Sequence, residues 1–457
     1  MLFTTDKQTL DDLNIFGRQG GDSVYNIFNR TTTRGGAMLL EEMFLYPLSD
    51  EQSINRRIGI IRTFAGAGTL FPFKSMLFDA AEPYLDNTDE RTKLSTEAVS
   101  ITKKLSNMIA VDVQTVVIYK GVAALVELLK GAHDFIKGVD GGEHYRADKE
   151  AISLLLSDPA FAPVLQEDSK GKLSHAAAAE YDVLFRFRHR DSIRRLLRYI
   201  YLLDVYLTVG KVAVERKYSF PLALPGDRHL LTIEGVFHPQ VKNAVPNSLQ
   251  ITPDSNLIFL TGANMAGKST FMKSLSIALF LAQMGFPVPA ARMEFSVLDG
   301  IYTTINLPDN LGMGASHFYA EVLRVKKMAQ ELSQGKNLFI VFDELFRGTN
   351  VKDAYEATIA ITSAFAQKRN SLFVISTHII EAGDVLKERW SNISFQYLPT
   401  RMNGNTPVYT YTLETGITAD RHGMIIITNE GILELLKRGK LEMLERDKAQ
   451  IHKLKAV

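Results

Sequence analysis

The chain has 457 residues, 46% of them hydrophobic and 23% charged, enough for two or three domains with sizeable cores. Lys and Arg total 52 against 51 Asp and Glu, so it is not a generally basic nucleic-acid binder, and any such surface has to be a local patch. Cysteine is absent, which excludes disulfides, thiol catalysis and Cys-ligated metal sites. The opening M-L-F-T-T-D-K-Q-T-L lacks the basic and apolar regions of a signal peptide. No segment approaches the roughly 18 uninterrupted apolar residues of a membrane span. A cytoplasmic protein with no membrane partner is expected.

Residues 1–220 read as almost wholly helical. Leu10, Leu13, Val24 and Phe28 open an apolar pattern, and Thr31–Thr33 supply a cap for a helix through Met38, Leu39, Met43 and Leu45 that Pro47 stops. Ser49 and Asp50 restart helix toward Ile54, Ile58 and Ile61. The Val-rich stretch within 95–135 is long and runs into Ala, Leu and Glu, which favours a buried helix over a strand. Gly138, Gly141 and Gly142 mark a turn. Arg186, Arg190, Arg194 and Arg198 recur every four residues, so a helix would gather them on one face, widened by Arg188, His189 and Arg195. Pairing with acidic neighbours on a solvated face is the plain reading; phosphate-backbone contact and a subunit contact are the alternatives.

Pro221, Pro225 and Gly226 punctuate a change of character. L-L-T-I-E-G-V reads as a strand, and short apolar strands follow at 257–260, 295–298, 338–342 and 371–375 between helical stretches, the pattern of a parallel α/β domain. Segments near 393–398 and 407–413 alternate more and suit antiparallel or edge strands. Residues 430–456 read as a charged helix containing Leu433, Leu436, Leu441 and Leu444.

The chemistry is concentrated in this second part. Gly262, Gly267, Lys268 and Ser269 satisfy the P-loop pattern G-x-x-x-x-G-K-[ST] between an apolar strand and a helical run. Backbone N–H groups of Gly262, Ala263, Asn264, Met265, Ala266, Gly267 and Thr270 are then expected to cradle a nucleotide phosphate at a positive helix end, with the Lys268 ammonium on the β- and γ-phosphates. Leu338–Phe342 followed by Asp343 and Glu344 is a Walker B arrangement, in which Asp343 and the Ser269 hydroxyl hold Mg²⁺ and Glu344 orients or deprotonates the attacking water. Phe373–Ser376 leads to Thr377 and His378, placed to sense the γ-phosphate or position the water.

These residues resemble the MutS family of DNA mismatch-repair ATPases, within the broader ABC-type ATPases. The family form T-G-P-N-M-G-G-K-S-T is matched by Thr261–Thr270, with Ala263 and Ala266 in place of Pro and Gly. Asp343-Glu344-Leu345-Phe346-Arg347-Gly348-Thr349-Asn350 resembles the Walker B segment with its G-R-G-T-[ST] tail. Thr377-His378 matches the histidine motif, and Glu234–Pro239 resembles E-G-R-H-P with one insertion. Asp309–Glu321 resembles the signature loop D-D-L-x-x-G-x-S-T-F-x-x-E, with His317 for Thr, which implies that Ser316 reaches the γ-phosphate held by an opposing subunit. Thr31–Gly36 resembles the opening of the helical core or lever domain, and Gly416–Gly423 the segment closing the ATPase domain. Where the family stacks an aromatic residue on adenine, this chain has Ala244.

The resemblance implies a helical core/lever domain at 1–220, a P-loop ABC-type ATPase domain at 221–430 and a helical extension at 431–457. It implies ATP and ADP binding with Mg²⁺, a homodimer, and a conformational switch acting on DNA, with a repair or recombination protein as a further partner. The likeness begins at the core, so no mismatch preference is expected. The alternative is a nucleotide-dependent scaffold with little turnover and no direct DNA binding, against which the retention of Glu344 and His378 argues.

Overall fold

The computed structural model describes residues 2–17, 21–95, 110–168, 173–305, 317–346, 348–404, 406–418, 428 and 430–436. An all-α region is followed by a mixed α/β region. Two compact units emerge: residues 16–223 with 281–288, and residues 1–15, 224–280 and 289–457.

Helices α1 (Lys7–Asp12), α2 (Val24–Phe28), α3 (Arg34–Leu45), α4 (Glu51–Ala67) and α5 (Ser75–Asp86) come first. They are followed by α6 (Ala110–Gly138), α7 (Gly142–Leu156), α8 (Ala162–Gln166), α9 (His175–Val183) and α10 (Arg190–Arg216). The caps fall where the sequence placed them. Thr33 accepts from Gly36 N at 2.9 Å and Asp50 from Ser53 N at 2.7 Å, each satisfying a helix-end donor, worth about 1 kcal/mol. Buried Asp204 of α10 locks the first cap, accepting from Thr33 N and Thr33 Oγ1, both at 2.8 Å. The Val-rich stretch is indeed helical: Val122, Leu125, Leu128, Leu129 and Ala132 of α6 lie buried at helical spacing. Phe286, from the short segment 281–288, packs edge-on against Phe28 and Phe44 in the core of the helical unit.

The arginine run departs from its expected face. Residues Leu184–Arg188 form a π-turn between α9 and α10, which breaks the four-residue register. Arg186 is consequently 1% exposed and bonds both oxygens of buried Asp182, at 2.6 and 2.7 Å. The others follow the acidic-pairing reading: Arg194 meets Asp86 at 2.5 Å and Arg198 meets Glu42 at 3.8 Å, while Arg190 donates to Leu85 O.

After a short strand β1 (Leu222–Leu224), the α/β region runs β2 (Leu231–Val236), β3 (Asn247–Ile251), β4 (Leu257–Gly262), α11 (Lys268–Gln283), β5 (Arg292–Ser296) and β6 (Gly300–Thr304). Then come α12 (His317–Ser333), β7 (Leu338–Phe342), α13 (Val351–Ala366), β8 (Leu372–Ser376), α14 (Ile380–Arg389) and β9 (Ile393–Leu398). A hairpin of β10 (Thr400–Asn403) and β11 (Thr406–Tyr409) and a short β12 (Glu414–Thr415) complete the elements. The main sheet has the order β12-β9-β4-β8-β7-β6, parallel except for β12.

Two strand expectations are corrected, and one strand is added. β5, expected in the parallel set, pairs antiparallel with β2, which also pairs antiparallel with β3. β9, whose alternation suggested an edge, is parallel to β4 and interior; the antiparallel edge is β12. β6 was not anticipated, because Gly-Ile-Tyr-Thr-Thr is short and polar, yet all five residues are buried beside β7. Stacked rings of Phe342, Phe365 and Phe373 (5.8 and 5.0 Å between centroids) fix α13 against β7 and β8. Residues 432–436 are helical, whereas Leu441 and Leu444 lie outside the described residues. Among those residues no helix is long and apolar enough to cross a membrane.

Candidate functional site

Strands β4, β8 and β7 lie side by side, and their carboxyl ends carry the residues singled out in the sequence. The β4 backbone leaves the sheet at Gly262 (φ 149°), turns through Met265 (φ 68°) and Gly267 (φ 99°), and enters α11 at Lys268. Gly262 is required, since a Cβ there would meet Leu398 O at 3.1 Å in a conformation that side chains resist. Ala266 is buried without a positive φ, so alanine costs nothing where the family has glycine; the left-handed turn falls on Met265 instead.

The Lys268 ammonium folds back over this loop, donating to Gly262 O at 2.8 Å and Ala263 O at 3.2 Å. Burial pulls its pKa below the ordinary lysine value, opposed by the nearby Asp343 and Glu344 carboxylates. Ser269 Oγ donates to Asp343 Oδ2. Asp343 Oδ1 is buried and makes no hydrogen bond of ordinary geometry. Burial pushes the Asp343 carboxyl up; the adjoining hydroxyls of Ser269 and Ser376 oppose that shift, while Glu344 adds to it.

Beyond Asp343 the chain turns sharply, with Glu344 (φ 55°) and Phe346 (φ 63°) both left-handed, a strain of about 1–2 kcal/mol per residue. Leu345 N bonded to Ser376 O and the Phe346 ring packed 5.8 Å from Phe318 hold the turn. Glu344 Oε1 thereby lies 2.8 Å from His378 Nε2. Lys268, Ser269, Asp343, Glu344 and His378 thus converge. Ser316, with its loop, lies outside the described residues.

Beside the glycine loop is a cavity of about 380 Å³ lined by Val236, His238, Ala244, Gly267, Phe271 and Tyr411. The Tyr411 ring packs on Gly267, where a Cβ would meet it at 3.0 Å. Asn247 holds the Tyr411 segment, donating to Tyr411 O at 2.9 Å and accepting from Leu413 N at 2.7 Å. Ala244, where the family has an aromatic, lines this cavity, and the aromatic ring in it belongs to Tyr411, which no sequence spacing links to the loop. His238 is pushed down to about 4 by burial and by Lys273. A cleft of about 810 Å³ in the helical unit, lined by residues of 140–157, gathers no comparable set of groups.

An all-α region followed by an α/β region, with a strand–glycine-loop–helix unit at the centre of its main sheet, is the class of protein these features define. The family profile of MutS domain III matches residues 8–209, and that of MutS domain V matches residues 258–440. The chain belongs to the MutS family. It is 31% identical over 248 residues to the DNA mismatch repair protein MutS of Thermus aquaticus, covering 54% of this chain and 29% of that protein. It is 29% identical over 280 residues to the Persephonella marina protein of that name, covering 59% and 31%. For the Fusobacterium nucleatum protein the identity is 29% over 294 residues, covering 61% and 32%. The chain spans about a third of the length of these curated relatives.

Proposed function

We propose that this protein binds ATP on the Gly262–Thr270 loop and hydrolyses it to ADP and phosphate, as part of a homodimer whose nucleotide state drives a conformational switch. The observation that carries the proposal is the convergence of Lys268, the Ser269–Asp343 pair and the Glu344–His378 pair at adjacent strand ends. Lys268 exchanges its two backbone carbonyls for phosphate oxygens; already desolvated, its ammonium interacts more strongly with phosphate than it would in water. Asp343 Oδ1, buried without a hydrogen bond, and the Ser269 hydroxyl form an oxygen donor set that fits Mg²⁺. When bound there, Mg²⁺ neutralises charge developing on the transferred phosphoryl group. Glu344, oriented by His378, accepts a proton from or aligns the attacking water. The base lies in the cavity against Tyr411, which supplies the ring that the family has at the position of Ala244.

Ser316 completes the site of the opposite subunit in this proposal. In this proposal the helical unit acts as core and lever and the α/β unit as the ATPase domain, so the expected boundary near 220 holds except that residues 1–15 go with the ATPase unit and 281–288 with the helical one. DNA is the proposed partner, with a repair or recombination protein as a second partner. Steady-state ATP hydrolysis, with and without duplex or branched DNA, tests the reading. Lys268→Met is expected to abolish turnover and weaken ATP binding by at least ten-fold, about 1.4 kcal/mol. Turnover near wild type in that variant would overturn it, and a wild-type protein that binds ATP without turnover would favour a nucleotide-dependent scaffold.

A further inference from the structure

Apolar side chains of Val236, Ala244 and Phe271 wall the cavity beside the glycine loop, so the polar groups set between them decide which ligand it accepts. Lys242, Asn243 and Thr270 are exposed to solvent. Asn247 is committed to the backbone, donating to Val245 O and Tyr411 O and accepting from Leu413 N. Two polar side chains remain on the wall: half-buried His238, and Ser274, which is 4% exposed.

Each of the two offers one kind of hydrogen bond. Gln240 N donates to His238 Nδ1 at 3.3 Å, so Nδ1 is the bare nitrogen and the ring proton sits on Nε2. Burial and the nearby Lys273 ammonium push this histidine down to about 4, so near pH 7 it stays neutral with that single N–H. The Ser274 hydroxyl donates back along α11 to Thr270 O at 2.7 Å, which leaves its oxygen only lone pairs to offer. Lys273, next to Ser274 on α11, is near enough to His238 to act on its charge, so donor and acceptor share one neighbourhood of the cavity.

A donor beside an acceptor matches the 6-amino group of adenine together with a flanking ring nitrogen, N1 or N7. A 6-oxo purine instead turns an oxygen toward the Ser274 lone pairs, and accommodating it means giving up the bond to Thr270 O. We propose that His238 and Ser274 are specificity-determining residues that select adenine over guanine, His238 Nε2–H donating to a ring nitrogen and Ser274 Oγ accepting from the 6-amino group. This rests on the reading that the nucleotide base occupies this cavity. A packing role alone predicts equal losses for every base.

Calorimetric titration of the full-length protein with nucleoside diphosphates, the products of the proposed reaction, tests the assignment. Wild type is expected to bind ADP at least about five-fold more tightly than GDP. Ser274→Ala is expected to weaken ADP about three-fold or more and to bind purine riboside diphosphate, which lacks the 6-amino group, as wild type does. His238→Phe keeps a ring without the donor and is expected to weaken ADP by a similar factor; His238→Gln, whose amide N–H stands in for Nε2–H, is expected to restore it. Either 1-deaza-ADP or 7-deaza-ADP is expected to bind wild type as weakly as ADP binds His238→Phe, and to lose nothing further in that variant. Ser274→Ala carries the test should His238→Phe not fold. Tyr411→Ala, expected to weaken every nucleotide about ten-fold, reports whether the base is in the cavity at all. With that loss seen, an ADP-to-GDP ratio unchanged in Ser274→Ala, or deaza penalties that are the same in wild type and His238→Phe, overturns the inference alone. Nucleotides that bind Tyr411→Ala as they bind wild type would place the base elsewhere and end both readings.

Discussion

Replacing Arg186 with methionine separates a buried ion pair from a solvated arginine face. Its guanidinium makes five hydrogen bonds, to both Asp182 oxygens, Asn87 O, Thr92 Oγ1 and Thr92 O. Asp182 also accepts from Tyr84 OH at 2.9 Å and Leu94 N at 3.0 Å, so α5, the loop after it and α9 meet at one carboxylate. Removing the cation while keeping much of the volume leaves a buried anion with two donors. That costs about 3–5 kcal/mol, chiefly as the penalty of the unpaired charge. Replacing Asp182 with asparagine as well removes that charge, keeps an amide oxygen to accept from Leu94 N and turns an amide N–H toward the Tyr84 hydroxyl, which can accept it, so the double variant is expected to recover about half the loss. Arg194→Ala, by contrast, breaks an exposed pair worth less than about 1 kcal/mol. Native-state hydrogen exchange of peptides spanning Ser75–Asp86 and Arg190–Arg216 reads these differences locally. A loss below about 1 kcal/mol for Arg186→Met, or a double variant worse than the single, would refute the reasoning.

Two further predictions address the cavity by the loop. Tyr411→Ala is expected to raise KM for ATP about ten-fold with little change in kcat, since base stacking contributes about 1–3 kcal/mol, while Tyr411→Phe stays near wild type; equal kinetics in all three proteins would remove the base from this cavity. His238, held at about 4 against an ordinary 6.5, is neutral in the fold, and between those values the unfolded chain binds more protons. Stability therefore falls as pH drops through that window, by about 2 kcal/mol at pH 5 from this group. His238→Asn is expected to lose less melting temperature than wild type between pH 7.5 and pH 5, and identical losses would contradict the assignment.

Local chemistry in the sequence determined the helix caps at Thr33 and Asp50, the glycine loop between Leu257–Gly262 and α11, and the acids and histidine after two apolar strands. Each depends on groups within a few residues of one another, which a single stretch of chain displays. Tertiary structure alone decided that β6 joins the main sheet, that β5 leaves it for an antiparallel one, and that Tyr411 lines the cavity beside the loop. It also decided that Arg186 is buried, because a π-turn shifts the register that its spacing had implied. The attachment of Asp6 and Asp12 to Arg324, Thr303 and Ile305 spans some 290 residues or more and leaves no periodic trace. Pairing over such separations is selected by complementarity between surfaces that exist only once strands and helices have formed, so no local pattern can announce it.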